Sequence, residues 1–294
     1  MDPRLQKHPL GYFEIVNKPT TEELQEYYSD KYYQEAKSSY EHEYSEDELT
    51  YFQVKLEQRF AALQKAQPNL RCGGQFLDVG CGEGYALAFF RNKGYETKGL
   101  DFSSAGIESK NPNCVDVLET GNVFELLKEE ITSGNVYDVV WLQNVLEHVL
   151  DPISLLKSLR KLVSSNGVVV ITVPNDCSIV QREALERNYI DHAFWIAPPD
   201  HLSYFDYNSM KNIAGETDWY CADIYGDFPV DLFLLHPESN YVRNKLLGKD
   251  AHRSAVQIEN LISKKPIEQV LDFWRSVAQV GIGRNLTSFF IPKV

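Results

Sequence analysis

Seven residues, Asp78-Val79-Gly80-Cys81-Gly82-Glu83-Gly84, carry the sharpest chemical signal in this 294-residue sequence. They follow the apolar run Phe76-Leu77. Three glycines between a buried strand and a helix let the backbone approach a ligand closely, and a helix N-terminus offers it amide donors. A dinucleotide-binding turn reads G-x-G-x-x-G, but Tyr85 stands at the last glycine position, which turns the reading away from NAD or FAD. Asp101 closes the next strand, where its carboxylate can accept both hydroxyls of a ribose. Asp78 is expected to order the glycine turn through backbone amides rather than to touch a reacting centre.

A second group follows the fourth strand, in Gln143-Asn144-Val145-Leu146-Glu147-His148. Ligands of open α/β sheets sit outside the carboxyl ends of the strands, so these residues should border both cofactor and acceptor. A His polarised by a Glu is a base suited to neutral pH, which makes His148 with Glu147 the first candidate for a proton acceptor. The other role open to the pair is to cap the following helix and brace the sheet edge. A later loop adds Asp191-His192, Trp195 and Asp200-His201-Leu202-Ser203-Tyr204. His201 is the second candidate base, and His192, Trp195, Tyr204 and Tyr33 are expected to contact the acceptor. Asp200, His201 and Glu147 could offer metal ligands, but no paired spacing supports a site, so no metal is expected.

These residues need a scaffold of alternating strands and helices. Apolar runs at 75–79, 97–101, 114–118, 137–142 and 168–173 predict strands of a parallel sheet covered on both faces. A helix is expected from Asp151-Pro152 to about Ser164, with an N-cap Asp before a proline at the first helical position. The stretch 174–207 reads as a long loop, followed by a short helix near 209–214 and a strand near 219–225. Residues 237–280 read as three helices, with Pro237 and Pro266 at starts and Gly248 at a stop, before a last strand at 286–291. Thr20 with Glu23 and Ser45 with Glu48 have capping-box spacing, so 1–68 is expected to form two helices. Leu49, Phe52, Leu56, Phe60 and Leu63 mark the apolar face of the second. Tyr27, Tyr28, Tyr32, Tyr33, Tyr40 and Tyr44 suit a pocket lid or ordinary packing equally well.

The stretch Phe76–Gly84 together with Asp101 resembles the class I S-adenosylmethionine (SAM) dependent methyltransferases, whose first motif has the form apolar-D-x-G-x-G-x-G. The resemblance covers roughly 75–175. It implies a Rossmann-like doubly wound, mostly parallel seven-stranded sheet, here with an N-terminal helical lid (1–68) and a methyltransferase domain (69–294) carrying a helical insertion at 237–280. It also implies SAM as cofactor and S-adenosylhomocysteine (SAH) as product. Gly80 and Gly82 would face the methionine part, Asp101 the ribose and Phe102 the adenine, with Asn122 accepting from the adenine amine. Asp78, Cys81, Gly84, Val123, Gln143 and Asn144 complete the expected cofactor set. Asn144 to Pro152 and His201-Leu202-Ser203-Tyr204-Phe205 look like the ubiquinone-biosynthesis-like and sugar-modifying branch. That branch implies methylation of a small-molecule hydroxyl on a sugar, nucleotide sugar or surface-glycan precursor. N- or C-methylation of a sugar, O-methylation of a quinone-like acceptor, and a catalytically silent SAM-binding scaffold stay open.

The net charge of −13 repels nucleic acid, and the sequence shows neither an apolar signal segment nor a run long enough to span a membrane, so a cytoplasmic protein is expected. Its five cysteines form no C-x-x-C pair, which argues for reduced thiols. The 237–280 helices are expected to form a cap or a homo-oligomer contact.

Overall fold

The computed structural model describes residues 2–24, 26–27 and 43–293. The N-terminal stretch departs from the all-helical expectation. Strands β1 (Leu5–Lys7) and β2 (Phe13–Ile15) pair antiparallel, and β2 pairs with β8 (Ser203–Tyr204), so the chain start is stitched to the loop that carries His201. Leu5, Ile15, Trp195, Leu202 and Tyr204 share one apolar cluster there. The Thr20–Glu23 capping box does form, with Glu23 N–H donating to Thr20 Oγ1 and Thr20 N–H to the Glu23 carboxylate, and residues 21–24 are helical. The lid tyrosines Tyr28, Tyr32, Tyr33 and Tyr40 lie outside the described residues. Helix α1 (Glu46–Ala66) starts at the expected Ser45–Glu48 capping box. Its inner face is Lys55, Leu56, Gln58, Ala62 and Leu63, while Leu49 is exposed.

The remaining strands are β3 (Gln75–Val79), β4 (Glu96–Asp101), β5 (Leu118–Thr120), β6 (Tyr137–Gln143), β7 (Val163–Pro174), β9 (Trp219–Gly226) and β10 (Asn285–Pro292). They form one sheet in the order β5-β4-β3-β6-β7-β10-β9. β5, β4, β3, β6 and β7 run parallel, and β10 is antiparallel to both neighbours. Helices α2 (Tyr85–Asn92), α3 (Ala105–Lys110), α4 (Val123–Thr132), α5 (Pro152–Leu159), α6 (Ile179–Glu186), α7 (Tyr207–Glu216), α8 (Gly248–Ile262) and α9 (Ile267–Val280) complete the fold. Both sheet faces are covered, which is why the central strands read as unbroken apolar runs. Leu77, Val79, Val140 and Leu142 pack with α4, α5 and α7 residues, whereas Phe76, Val139 and Trp141 pack with α1, α2 and α9 residues.

Four element assignments differ from the sequence reading. The stretch 114–118 is mostly a 3-10 turn started by Pro112, and the strand begins only at Leu118. Helix α5 stops at Leu159 because β7 already begins at Val163 and passes through Gly167, where a Cβ would lie 2.6 Å from Val163 Cγ1 and 2.9 Å from the Asp138 carbonyl. Gly248 closes only the short 3-10 turn Lys245–Leu247 and at once opens α8. Within the expected long loop, α6 is started by a capping box between Ser178 and Gln181. Among the described residues no helix is long and apolar enough to cross a membrane.

Candidate active site

The glycine turn sits at the carboxyl end of β3, between β4 and β6. Gly80 and Cys81 N–H donate to the Leu100 carbonyl at 2.8 and 3.2 Å, which ties the turn to the adjacent strand. Gly80, Gly82 and Gly84 all take positive φ (73°, 55° and 75°). At Gly82 the backbone is left-handed and a Cβ would project into open space, so the turn's outer edge faces a cavity. Gly82 N–H donates to Asp101 Oδ2 at 2.7 Å and Ser103 N–H to Oδ1 at 3.1 Å. The amide expected to be ordered by Asp78 is therefore held by Asp101. Burial pushes Asp101 up, against these amides that favour its charged form. A carboxylate has about four acceptor sites, so two remain for a pair of hydroxyls.

Asp78 is buried beneath the turn, and burial, with Asp101 nearby, pushes its carboxyl up to about 8 from an ordinary 3.8. The folded state holds this proton over a window in which the unfolded chain has lost it. Stability from the proton is complete below about pH 4 and is lost as pH rises toward 8. Asp78→Asn cannot titrate. Its melting temperature is expected to rise relative to wild type between pH 5 and pH 8.5 by a few degrees, on the scale of roughly 2–4 °C per kcal/mol. A melting-temperature gap that stays flat across that range contradicts the assignment.

On one side of the turn lies a cavity of about 480 Å³. Gly80, Gly82 and Asp101 line it beside Phe102, Val123 and Phe124, an acid and an apolar wall suited to a ribose and a flat base. Asn122 does not line it. Its Oδ1 accepts from the Phe124 and Glu125 amides and so caps α4, the competing use of an Asn before a helix. A second cavity, about 400 Å³, lies behind the turn, bordered by Asp78, Cys81, Gly84 and Arg59, and it shares Gly80, Gly82 and Gln143 with the first. Arg59, on α1, donates to Gln143 Oε1 at 2.8 Å and has no carboxylate partner among the described residues. A guanidinium so placed can receive a ligand carboxylate. No motif in the sequence marked it.

The first cavity also takes in Asn144, Glu147, His148, Asp200 and His201. Asn144, at φ 55°, ends β6 and turns the chain into the short 3-10 segment Leu146–His148. His148 Nδ1 lies 2.7 Å from the Asp200 carbonyl oxygen, so Nδ1–H donates there, and Nε2 is 3.7 Å from Glu147 Oε1. His201 Nδ1 lies 3.3 Å from Asp176 Oδ2, and Asp176 Oδ1 accepts from Arg284 Nη1 at 2.7 Å. The two imidazoles meet edge to face with centroids 5.1 Å apart. Glu147 is 1% exposed, and among the described residues neither of its oxygens makes a hydrogen bond. Burial pushes its carboxyl up to about 8. For His201, burial alone would lower the value, but Asp176, Glu147 and Asp200 outweigh it and hold the ring above its ordinary range.

Glu147, His148 and His201 bring one ligand atom each to within 4.8 Å of one another. The sequence offered Asp200, His201 and Glu147 as conceivable ligands without a supporting spacing; the fold gathers Glu147 and His201 with His148. Adjacent residues on one loop meet a histidine from another, which linear spacing could not reveal. Two histidines anchored through Nδ1 beside an unpaired carboxylate can hold a divalent cation as readily as they can accept a proton.

Three expected acceptor contacts fall elsewhere. His192 is exposed, pairs with Asp191, and with Trp195 lines a separate cavity of about 560 Å³. Trp195 Nε1 points to Cys177 Sγ at 3.2 Å. Tyr204 is buried, and its hydroxyl donates to the His201 carbonyl, so it braces the loop instead of facing the cleft. Tyr33 lies outside the described residues. Sequence reasoning also missed Asp176 and Arg284. The first follows directly on β7 in Pro174-Asn175-Asp176, a strand-end position that could have nominated it; the second carries no sequence signal.

Comparison with known proteins bears on the family and the fold. The ubiquinone biosynthesis O-methyltransferase of Vibrio cholerae serotype O1 is 30% identical over 164 residues, 51% of this chain and 65% of that protein. The Aliivibrio fischeri protein of the same name is 31% identical over 154 residues, 47% and 64% of the two chains. The match thus spans just under two thirds of these relatives' length. The plantazolicin methyltransferase BpumL, solved with a monoazolic desmethylPZN analog and SAH, superposes with a TM-score of 0.52 at 16% identity over 92% of this chain and 94% of that one, a likeness of fold. Residues 51–223 match the methyltransferase-domain family. With more than half its length in that match and the seven-stranded sheet just described, the chain belongs to the methyltransferase-domain family, of the class I, SAM-dependent kind.

Proposed function

We propose that the protein transfers a methyl group from SAM to a hydroxyl of a small-molecule acceptor. The observation that carries this reading is that one cavity joins the glycine turn and Asp101 to the cluster of Glu147, His148 and His201. When bound, the cofactor supplies a methyl group on a sulfonium, transferred by in-line displacement. Asp101 accepts from ribose hydroxyls, Phe102, Val123 and Phe124 flank the base, and Arg59 receives the amino-acid carboxylate.

Displacement of this kind depends mainly on positioning, with reacting atoms held about 3–3.5 Å apart. An unactivated hydroxyl must also lose its proton, and His201 is the better-placed base. Asp176 fixes its Nδ1–H and strengthens Nε2 as an acceptor, whereas His148 gives its Nδ1–H to the Asp200 backbone carbonyl at 2.7 Å, with the Asp200 carboxylate farther off at 3.5 Å. His148 and Glu147 then complete the polar wall against which the hydroxyl rests.

A second reading is favoured by the two unpaired, buried oxygens of Glu147. Here Glu147, His148 and His201 hold a divalent cation that would lower the acceptor hydroxyl's pKa. One assay tests both readings: SAH release from SAM with nucleotide sugars and with phenolic acceptors, before and after chelation. The base reading expects turnover unchanged by chelation. A loss of more than about tenfold, restored by Mg²⁺, Mn²⁺ or Zn²⁺, selects the cation reading. No SAH release with any hydroxyl acceptor leaves the silent scaffold in its place. The acceptor classes carried forward are the sugar or glycan precursor expected from the sequence and the phenolic type that the relatives' name suggests.

A further inference from the structure

The reaction cavity does not end at the histidines. Arg284 and Asn285, at the start of β10, line both that cavity and a further chamber of about 360 Å³. Its walls include four aromatic side chains from four parts of the chain: Tyr51 on α1, Phe194 in the loop before His201, Phe228 after β9, and Tyr241 before α8. The floor along α8 is small, with Gly248, Ala251 and Ala255. We infer that this chamber is the acceptor's second subsite, and that it takes an uncharged planar ring joined to the hydroxyl-bearing part of the substrate past Arg284 and Asn285. The inference rests on the methyltransferase reading and names the substrate class for it.

Three features of the chamber select such a ligand. First, its carboxylates are already used. Asp227 accepts from Asn285 N and Nδ2 at 2.8 and 2.6 Å, and Glu259 accepts from Phe228 N at 2.9 Å and lies 2.9 Å from Lys55 Nζ. With each acid paired by the chain's own donors, a cationic ligand gains little there, while apolar area and aromatic stacking remain to be gained. Second, the neck is fixed. Asp227 grips both nitrogens of Asn285, and Asn175 Nδ2 donates to the Gly283 carbonyl at 2.8 Å, so the chain segment that borders both cavities is held in place before any ligand arrives. Third, Arg284 spends Nη1 on Asp176, and its other guanidinium N–H groups make no hydrogen bond among the described residues, which leaves donors in the passage for an oxygen on the acceptor. The 237–280 insertion thereby acquires a use: its helix α8 closes the chamber from one side.

The test compares phenol with biphenyl-4-ol, titrated by calorimetry into the 294-residue protein saturated with SAH. Filling the chamber with the second ring is expected to tighten binding at least about tenfold, the return on burying one ring of apolar surface. Ala255→Phe, which fills the chamber from α8, should abolish that advantage, and Phe228→Ala, which removes one wall, should reduce it. The two variants perturb packing in opposite senses, and circular dichroism melts confirm that each is folded. Equal affinity for the two phenols in the wild type, or an advantage that both variants retain, overturns the proposal. SAH titrated alone in the same cell reads the parent assignment separately. Absence of SAH binding sinks the methyltransferase reading, and the ring comparison is then run without SAH, where the variants still decide the chamber.

Discussion

His201→Ala is expected to lower kcat by about 100- to 10,000-fold, the usual contribution of a positioned base, while SAH affinity stays within about twofold of wild type. The split follows from where the ring stands. His201 lies in the cavity with Asp101, but its polar contacts run to Asp176 and toward Glu147 and away from the glycine turn. Asp176→Asn tests the same arrangement one step removed. The amide oxygen can still accept from Nδ1–H, so the ring keeps its place while losing the negative charge that supports it, and the amide nitrogen gives up the pair with Arg284. Its expected signature is a fall in kcat of roughly tenfold at unchanged SAH affinity, since about 1.4 kcal/mol separates tenfold steps. A uniform loss of melting temperature, SAH affinity and kcat would instead mark Asp176 as a packing residue paired with Arg284.

Asp101→Ala is the companion prediction at the other end of the cavity. Each hydrogen bond to a charged acceptor contributes about 1.5–3 kcal/mol, so losing two should weaken SAH binding by at least about 100-fold. The alanine also releases Gly82 N–H, loosening the turn that faces the ligand. Arg59→Ala should weaken SAH binding less, about tenfold, because it removes one ion pair whose formation must repay the desolvation of a half-buried guanidinium. Loss of binding on Arg59→Ala with none on Asp101→Ala would reverse the proposed orientation of the ligand along the turn.

The part of this site that a linear reading reaches is the part built from contiguous residues. The run Phe76–Gly84 has its strand, glycine turn and helix start in one stretch, and Asp101 ends the neighbouring strand, so their meeting is dictated by parallel pairing of β3 and β4. Capping boxes at Ser45–Glu48 and the Asp151-Pro152 helix start are equally local. What escaped is what tertiary structure assembles. Arg284 meets Asp176 across 108 residues, and no period or spacing encodes that contact. Strands β1 and β2 are three residues long, too short for alternation to show, and gain their stability from β8 and the cluster around Trp195. His192 and Trp195 have suitable chemistry, but their direction is set by packing against Cys177 and β1, which turns them from the cleft. Asn122 illustrates a competition: helix capping claimed the side chain expected to read the adenine.

The account stands most directly on one measurement, calorimetric titration of the wild-type protein with SAH alongside Asp101→Ala. A single site of micromolar affinity that the substitution removes is the predicted result. No binding by the wild type, or equal binding by both proteins, would contradict the claim that the glycine turn and Asp101 hold this cofactor.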